Sequence, residues 1–193
     1  RGPLELNLPE RRITLDDQGR VVGVAVREHL DAHQVIEDFM IAANVAAAET
    51  LEKHRSALLY RVHDSPSEEK LAGLRDFLAS LDLAFSRSDA VRPADFNRVL
   101  DKAREAGKIQ QVSEIVLRTQ AQAEYSPENI GHFGLNLRRY AHFTSPIRRY
   151  ADLLVHRALI RALNFGEDGL PDGIEAELPE IAARISAAER RAM

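Results

Sequence analysis

Apolar and polar residues alternate at the start of the chain and then change period. Leu4, Leu6 and Leu8 alternate with Glu5 and Asn7, Ile13 and Leu15 with Arg12 and Thr14, and Val21 to Val26 resumes the apolar run. A period of two predicts strands with one covered face. Asp16-Asp17-Gln18-Gly19 is a turn signal between them, so the first 27 residues read as β structure with an antiparallel hairpin. From Asp31 the apolar positions recur at three and four: Val35, Ile36, Phe39, Met40, Ala43, Ala46, Ala47 and Leu51. That spacing predicts one long helix, from an Asp31 N-cap to about His54. Asn44 interrupts its apolar face; a satisfied core amide and a ligand contact both fit that position.

Leu58 to His63 is short and apolar and reads as a strand. Ser65-Pro66-Ser67-Glu68-Glu69 opens a second helix, with Leu71, Leu74, Phe77, Leu78 and Leu81 on one face. Pro93 suits the first turn of a third helix that Gly107 ends, and a fourth runs from about Ile109 to Gln122. Residues 126–135 are loop-like and aromatic. Pro146 then fits the first turn of a helix capped by Thr144 or Ser145. Asn164 to Gly173 reads as a flexible link and Leu178 to Met193 as a last amphipathic helix. No linker divides the chain. Residues 1–193 are therefore expected to form a single α+β body, helix-rich, with a short antiparallel β segment at the N-terminus.

The absence of cysteine excludes a disulfide scaffold, a thiolate zinc site and cysteine catalysis. No apolar run approaches the roughly 20 residues that span a bilayer, and no secretory signal opens the chain, so a cytoplasmic setting is expected. A first residue other than Met suggests a piece of a longer protein. The net charge of −4 conceals an asymmetry. Between Asn129 and Arg161 there are six arginines and one acid, Asp152, so this segment carries +5 and the remainder −9. A concentrated basic stretch in an acidic chain points to a localised anion site.

The candidate chemistry sits in that stretch. Backbone N–H groups at a helix start attract anions, Thr144 and Ser145 add donors, and Arg148 and Arg149 suit phosphate. Phe133, Tyr140, Phe143 and Tyr150 interleave with the charges and could stack on bases. The plainer alternative is a capped helix whose arginines pair with the acidic remainder. The seven histidines show no zinc-binding spacing, and Ser145 has no evident base partner.

The run His142-Phe143-Thr144-Ser145-Pro146-Ile147-Arg148-Arg149-Tyr150-Ala151-Asp152-Leu153-Leu154-Val155-His156-Arg157 resembles the signature of the ribonuclease II/ribonuclease R family, most closely its bacterial ribonuclease R branch. Leu4 to Pro9, Ala32 to Met40, Ala42 to Ala46, Tyr60 to His63 and His132 to Leu135 resemble that family's catalytic domain in the same order. The resemblance implies a processive 3′→5′ exoribonuclease that hydrolyses single-stranded RNA to nucleoside 5′-monophosphates. It implies that Arg148 contacts the phosphate at the scissile end and supports the transition state, and that Glu37 lies near the 3′-terminal ribose. His142, Thr144, Ser145, Arg149 and Tyr150 are carried over as lining of the RNA path. The family uses Mg²⁺ held by an aspartate cluster, whose place would be upstream of Leu4 and which this sequence lacks; Asp16-Asp17 sits in a turn instead. Flanking RNA-binding β-barrels are absent as well. The chain thus reads as the C-terminal part of a catalytic domain, inactive alone, with no metal ligand of its own. Two other readings remain: a non-catalytic RNA-binding module of the same fold, and a helical protein whose basic stretch binds an acidic partner.

Overall fold

The computed structural model describes residues 2–6, 11–26, 29–88 and 90–192. The alternating start is not a strand. Residues 2–6 are irregular: Leu4 N–H donates to Gly134 O (2.8 Å), Glu5 N–H to Asn97 Oδ1 (2.9 Å), and Asn97 Nδ2 to Pro3 O (2.7 Å). Leu4 and Leu6 pack against helices rather than a neighbouring strand; Asn7 and Leu8 lie outside the described residues. The hairpin itself forms as expected. Strand β1 (Arg11–Leu15) pairs antiparallel with β2 (Val21–Val26), Ile13 opposite Val24. Asp16 closes the turn by accepting the Gln18 and Arg20 N–H groups, and the Arg20 bond foremost holds its carboxyl below the usual range.

Helix α1 spans Asp31–Lys53. Its N-cap is Leu30, not Asp31: His33 Nδ1 accepts the Leu30 N–H (3.1 Å), and Asp31 sits in the first turn, where an acid meets the positive end of the helix dipole. The apolar stripe is divided. Asn44, Ala47, Ala48 and Leu51 are buried, whereas Ile36 and Phe39 are 59% and 69% exposed, as are the valines of β2 (62–65%).

Two hydrophobic clusters follow. Helices α2 (Glu68–Ser80), α3 (Pro93–Glu105) and α4 (Ile109–Thr119) close one around Leu71, Leu74, Leu78, Phe96, Leu100, Val112 and Val116. Ser67 caps α2 by accepting the Lys70 N–H, and α4 stops short of Gln122 because Gln120 already has extended backbone. The other cluster joins the back of α1 to strand β3 (Tyr60–Val62), strand β4 (Glu124–Ser126), helix α5 (Tyr150–Leu163), a 3₁₀ turn at Ile174–Ala176 and helix α6 (Leu178–Ala192). β3 and β4 pair antiparallel, Arg61 opposite Tyr125. Helix α6 is tied to them: Arg61 makes a bidentate pair with Glu189 (2.6 and 3.2 Å), and Ser186 Oγ accepts the Tyr125 N–H.

The supposedly flexible link after α5 is fastened down. Arg157 donates to the Asp168 and Gly169 carbonyls, and Arg161 to those of Leu170 and Pro171. Gly169 passes so close that a Cβ there would lie 2.8 Å from Arg161 Cβ, which is why no larger residue fits.

Candidate nucleic-acid interface

The signature does not begin a helix at Pro146. Residues 146–148 form a separate turn in which the Arg148 and Arg149 N–H groups both reach Ser145 O (3.3 and 3.1 Å). Arg149 is the N-cap, with extended backbone, and α5 starts only at Tyr150. The physical cause is Asp152 at the third helical position. Its fully buried carboxylate accepts the Ser145 N–H (2.8 Å) and Arg149 Nη2 (2.9 Å), and Arg149 Nε lies 2.8 Å from Oδ2. A carboxylate there collects the donors at the head of the helix, so the Thr144 or Ser145 cap inferred from the sequence is replaced by a cap built from within.

The preceding stretch is pinned on three sides. Asn44 of α1 accepts the Phe143 N–H with Oδ1 and donates Nδ2 to Tyr140 Oη, both at 2.9 Å. His156 of α5 donates Nε2–H to Phe143 O (2.8 Å), and its ring stacks on Phe143 at 4.3 Å. Arg61 of β3 donates its N–H to Tyr140 O (2.9 Å). Asn44 is thus a core amide engaged through both its oxygen and its nitrogen that also borders the site.

Between α1 and this stretch lies a cleft of about 280 Å³. On one side stand Glu37, Met40, Ile41 and Asn44, spaced as one helical face; on the other stand Tyr140, Thr144, Ser145, Arg148 and Arg149. Five of the seven residues singled out from the sequence therefore converge: Glu37, Thr144, Ser145, Arg148 and Arg149. The other two do not line it. His142 is packed between the rings of Tyr125 and Tyr140, with Nδ1 2.9 Å from Tyr125 Oη, and burial pushes its pKa down to about 3. Tyr150 is half exposed outside the cleft. A larger cleft, about 610 Å³, lies among residues 63–65, 91–93 and 129–138 and contains none of the seven.

The basic stretch is less free than its charge suggests. Arg139 pairs with Glu52 (2.9 Å), Arg149 with Asp152, and Arg157 and Arg161 hold the 168–172 segment. Arg148 is exposed, and its guanidinium has no partner among the described residues. Facing it across the cleft, the Glu37 carboxylate has His29 Nε2 at 3.3 Å. A permanently charged fork and a carboxylate on opposite walls can grip an anion and a hydroxyl donor together. Tyr140 and Asn44 also border this pair, Tyr140 not as the base-stacking ring expected from the sequence, since its ring is buried between His132 and His142; for Asn44 the 37, 40, 41, 44 spacing on α1 was the available signal. Among the described residues no group of three His, Asp or Glu side chains could hold a metal ion, and no helix is long and apolar enough to cross a membrane.

The fold is that of an RNB domain: the RNB domain model matches residues 1–164, and the chain belongs to the RNB family. Its relatives carry a more particular name. It is 43% identical over 159 residues to Ribonuclease R of Vibrio cholerae, covering 82% of this chain and 19% of that protein. To Ribonuclease R of Aquifex aeolicus it is 40% identical over 189 residues, covering 98% of this chain and 27% of the relative. Among solved structures, RNase R of Mycoplasma genitalium in complex with ribose-methylated single-stranded RNA matches with a TM-score of 0.88 at 30% identity, over 97% of this chain and 30% of that one. The chain thus spans about a quarter of the length of such relatives.

Proposed function

We propose that the full-length protein containing this chain is a processive, cytoplasmic 3′→5′ exoribonuclease that hydrolyses single-stranded RNA to nucleoside 5′-monophosphates. This chain supplies contacts to the 3′ end. The observation that carries the reading is the meeting of Glu37 and Arg148, distant in sequence, across one small cleft of an RNB-family chain. Arg148 binds the phosphate at the scissile end and, being always charged, supports the negative charge that grows there in the transition state. Glu37 accepts from the terminal 2′-OH, the group that separates RNA from DNA. Thr144 and Ser145 line the strand's path beside them, and Arg149 adds positive potential while held by Asp152.

The described residues do not fit a Mg²⁺ ion. Asp152, the one fully buried acid beside the cleft, is already engaged by Arg149 and Ser145. The carboxylates for Mg²⁺ that the family resemblance implies belong to other parts of the full-length protein, and the 193-residue chain alone is expected to release no mononucleotides. The test is incubation of the full-length protein with 5′-labelled single-stranded RNA and Mg²⁺, followed by product analysis. Progressive shortening from the 3′ end with release of 5′-monophosphates is expected. RNA that is bound but stays intact would replace this reading with a non-catalytic RNA-binding module.

A further inference from the structure

Three tyrosines of this chain have buried rings, and their hydroxyls differ. Tyr60 Oη donates to Glu52 Oε1 (2.9 Å), and Tyr125 Oη pairs with His142 Nδ1 (2.9 Å). Tyr140 Oη is different because of Asn44. The Phe143 N–H can only donate, so the Asn44 atom 2.9 Å from it is Oδ1, and this settles the amide's orientation. The NH₂ group then faces Tyr140 Oη at 2.9 Å and can itself only donate. Tyr140 Oη is consequently an acceptor in this pair, and its own proton must point elsewhere. Among the described residues no acceptor receives it. Tyr140 is 7% exposed, and it borders the same cleft as Arg148. A nearly buried donor without a protein acceptor is uncommon in folded proteins and calls for a partner from outside the chain; at Tyr140 the cleft it borders is where that partner would sit.

We propose that the Tyr140 hydroxyl donates a hydrogen bond to a phosphate oxygen of RNA in the cleft, and that Asn44 is the positioning residue that aims it. The proposal rests on the RNA reading above. The ring is held edge-on between His132 (5.3 Å) and His142 (5.7 Å), so the donor is fixed before substrate arrives. A fixed donor loses no reorganisation energy at the moment of reaction. Arg148, on the same wall of the cleft, brings the anion. One amide thereby does two things: through Oδ1 it fixes the backbone leading to Arg148, and through Nδ2 it turns the phenol proton away from the protein interior.

The test uses the full-length protein with Tyr140→Phe, Asn44→Asp, the double variant, and Arg148→Ala as reference. Tyr140→Phe removes only the hydroxyl and is expected to lower kcat/KM on single-stranded RNA about tenfold or more. Asn44→Asp still accepts the Phe143 N–H but replaces the NH₂ with an acceptor, which draws the Tyr140 proton inward. It is expected to lose a similar factor, and the double variant to be no worse than the more impaired single. If Asn44→Asp does not fold, Asn44→Ala takes its place, with partial loss expected alone and no added loss in the Tyr140→Phe background. Phosphorothioate at the 3′-terminal linkage weakens acceptance by the phosphate, so it should slow Tyr140→Phe less than wild type; a merely structural hydroxyl would not move that ratio. Wild-type kcat/KM in Tyr140→Phe, or losses that multiply in the double variant, would overturn the inference while a crippled Arg148→Ala leaves the RNA reading standing. If the wild-type protein shortens no RNA, the exoribonuclease reading falls, and RNA affinity left unchanged by Tyr140→Phe would then overturn the inference as well.

Discussion

Arg149 Nε lies 2.8 Å from Oδ2 of Asp152, a carboxylate with no exposed surface. Two adjacent arginines that look alike in the sequence thereby acquire different jobs. Arg149 neutralises a buried acid and shapes the turn before α5, while Arg148 is left exposed with its charge unpaired among the described residues.

Asp152→Ala should destabilise the fold by about 3–5 kcal/mol, because removal of one partner leaves the other charge uncompensated. Chemical denaturation would measure it. An effect below 1 kcal/mol would mean that the Arg149–Asp152 pair is dispensable to the turn.

Arg148→Ala should leave the melting temperature nearly unchanged, since exposed side chains without partners contribute within about 0.5 kcal/mol. In the full-length protein the same change should lower kcat by roughly 10²–10³, the scale of losing one transition-state donor, with a smaller effect on RNA affinity. Weakened binding with unchanged turnover would make Arg148 a strand grip only.

Glu37 bears on specificity. The full-length protein should degrade RNA roughly 5- to 150-fold faster than RNA ending in a single 3′-deoxyribonucleotide lacking the 2′-OH, given the 1–3 kcal/mol cost of an acceptor that bound RNA covers and leaves unpaired. Glu37→Ala should slow RNA degradation and narrow that ratio. Equal slowing on both substrates would assign Glu37 a structural role.

Stability should fall on mild acidification. Burial foremost holds His132 and His142 neutral, with pKa values of about 3 against 6.5 for the free side chain. Between these values the unfolded chain binds the protons that the folded one refuses. Their contribution is therefore complete above about pH 6.5 and is lost as pH falls towards 3, at up to roughly 1.4 kcal/mol per pH unit for each ring. Denaturation midpoints at pH 7.5 and 5 would show it, and His132→Asn with His142→Asn should flatten the slope between those pH values. Each asparagine can keep the hydrogen bond that Nδ1 makes to Leu135 N–H or to the Tyr125 hydroxyl. An equally steep slope in that variant would trace the acid sensitivity to other groups.

Several features were legible in the sequence because they depend on neighbours along the chain. The helices, the Asp16–Gly19 turn, the helix opening at Ser65–Glu69 and the Gly107 stop follow from periodicity and local backbone chemistry. The basic stretch and the family resemblance pointed to Glu37, Thr144, Ser145, Arg148 and Arg149, and these meet in one cleft. What lay beyond reach depends on partners far away in the chain. Leu4 and Leu6 alternate like a strand, yet a strand needs a neighbour, and they meet helices instead. The three-residue strand β4 has too few positions to show a period and exists because β3 pairs with it. Charge counting could not tell which arginines were engaged, since Glu52, Asp152 and the 168–172 carbonyls reach them only after folding. Residue types and local periods are written in the sequence. Which donor finds which acceptor, and so which arginine and which hydroxyl remain free to meet a ligand, is decided by the tertiary structure that brings Asn44 to Tyr140 and Asp152 to Arg149.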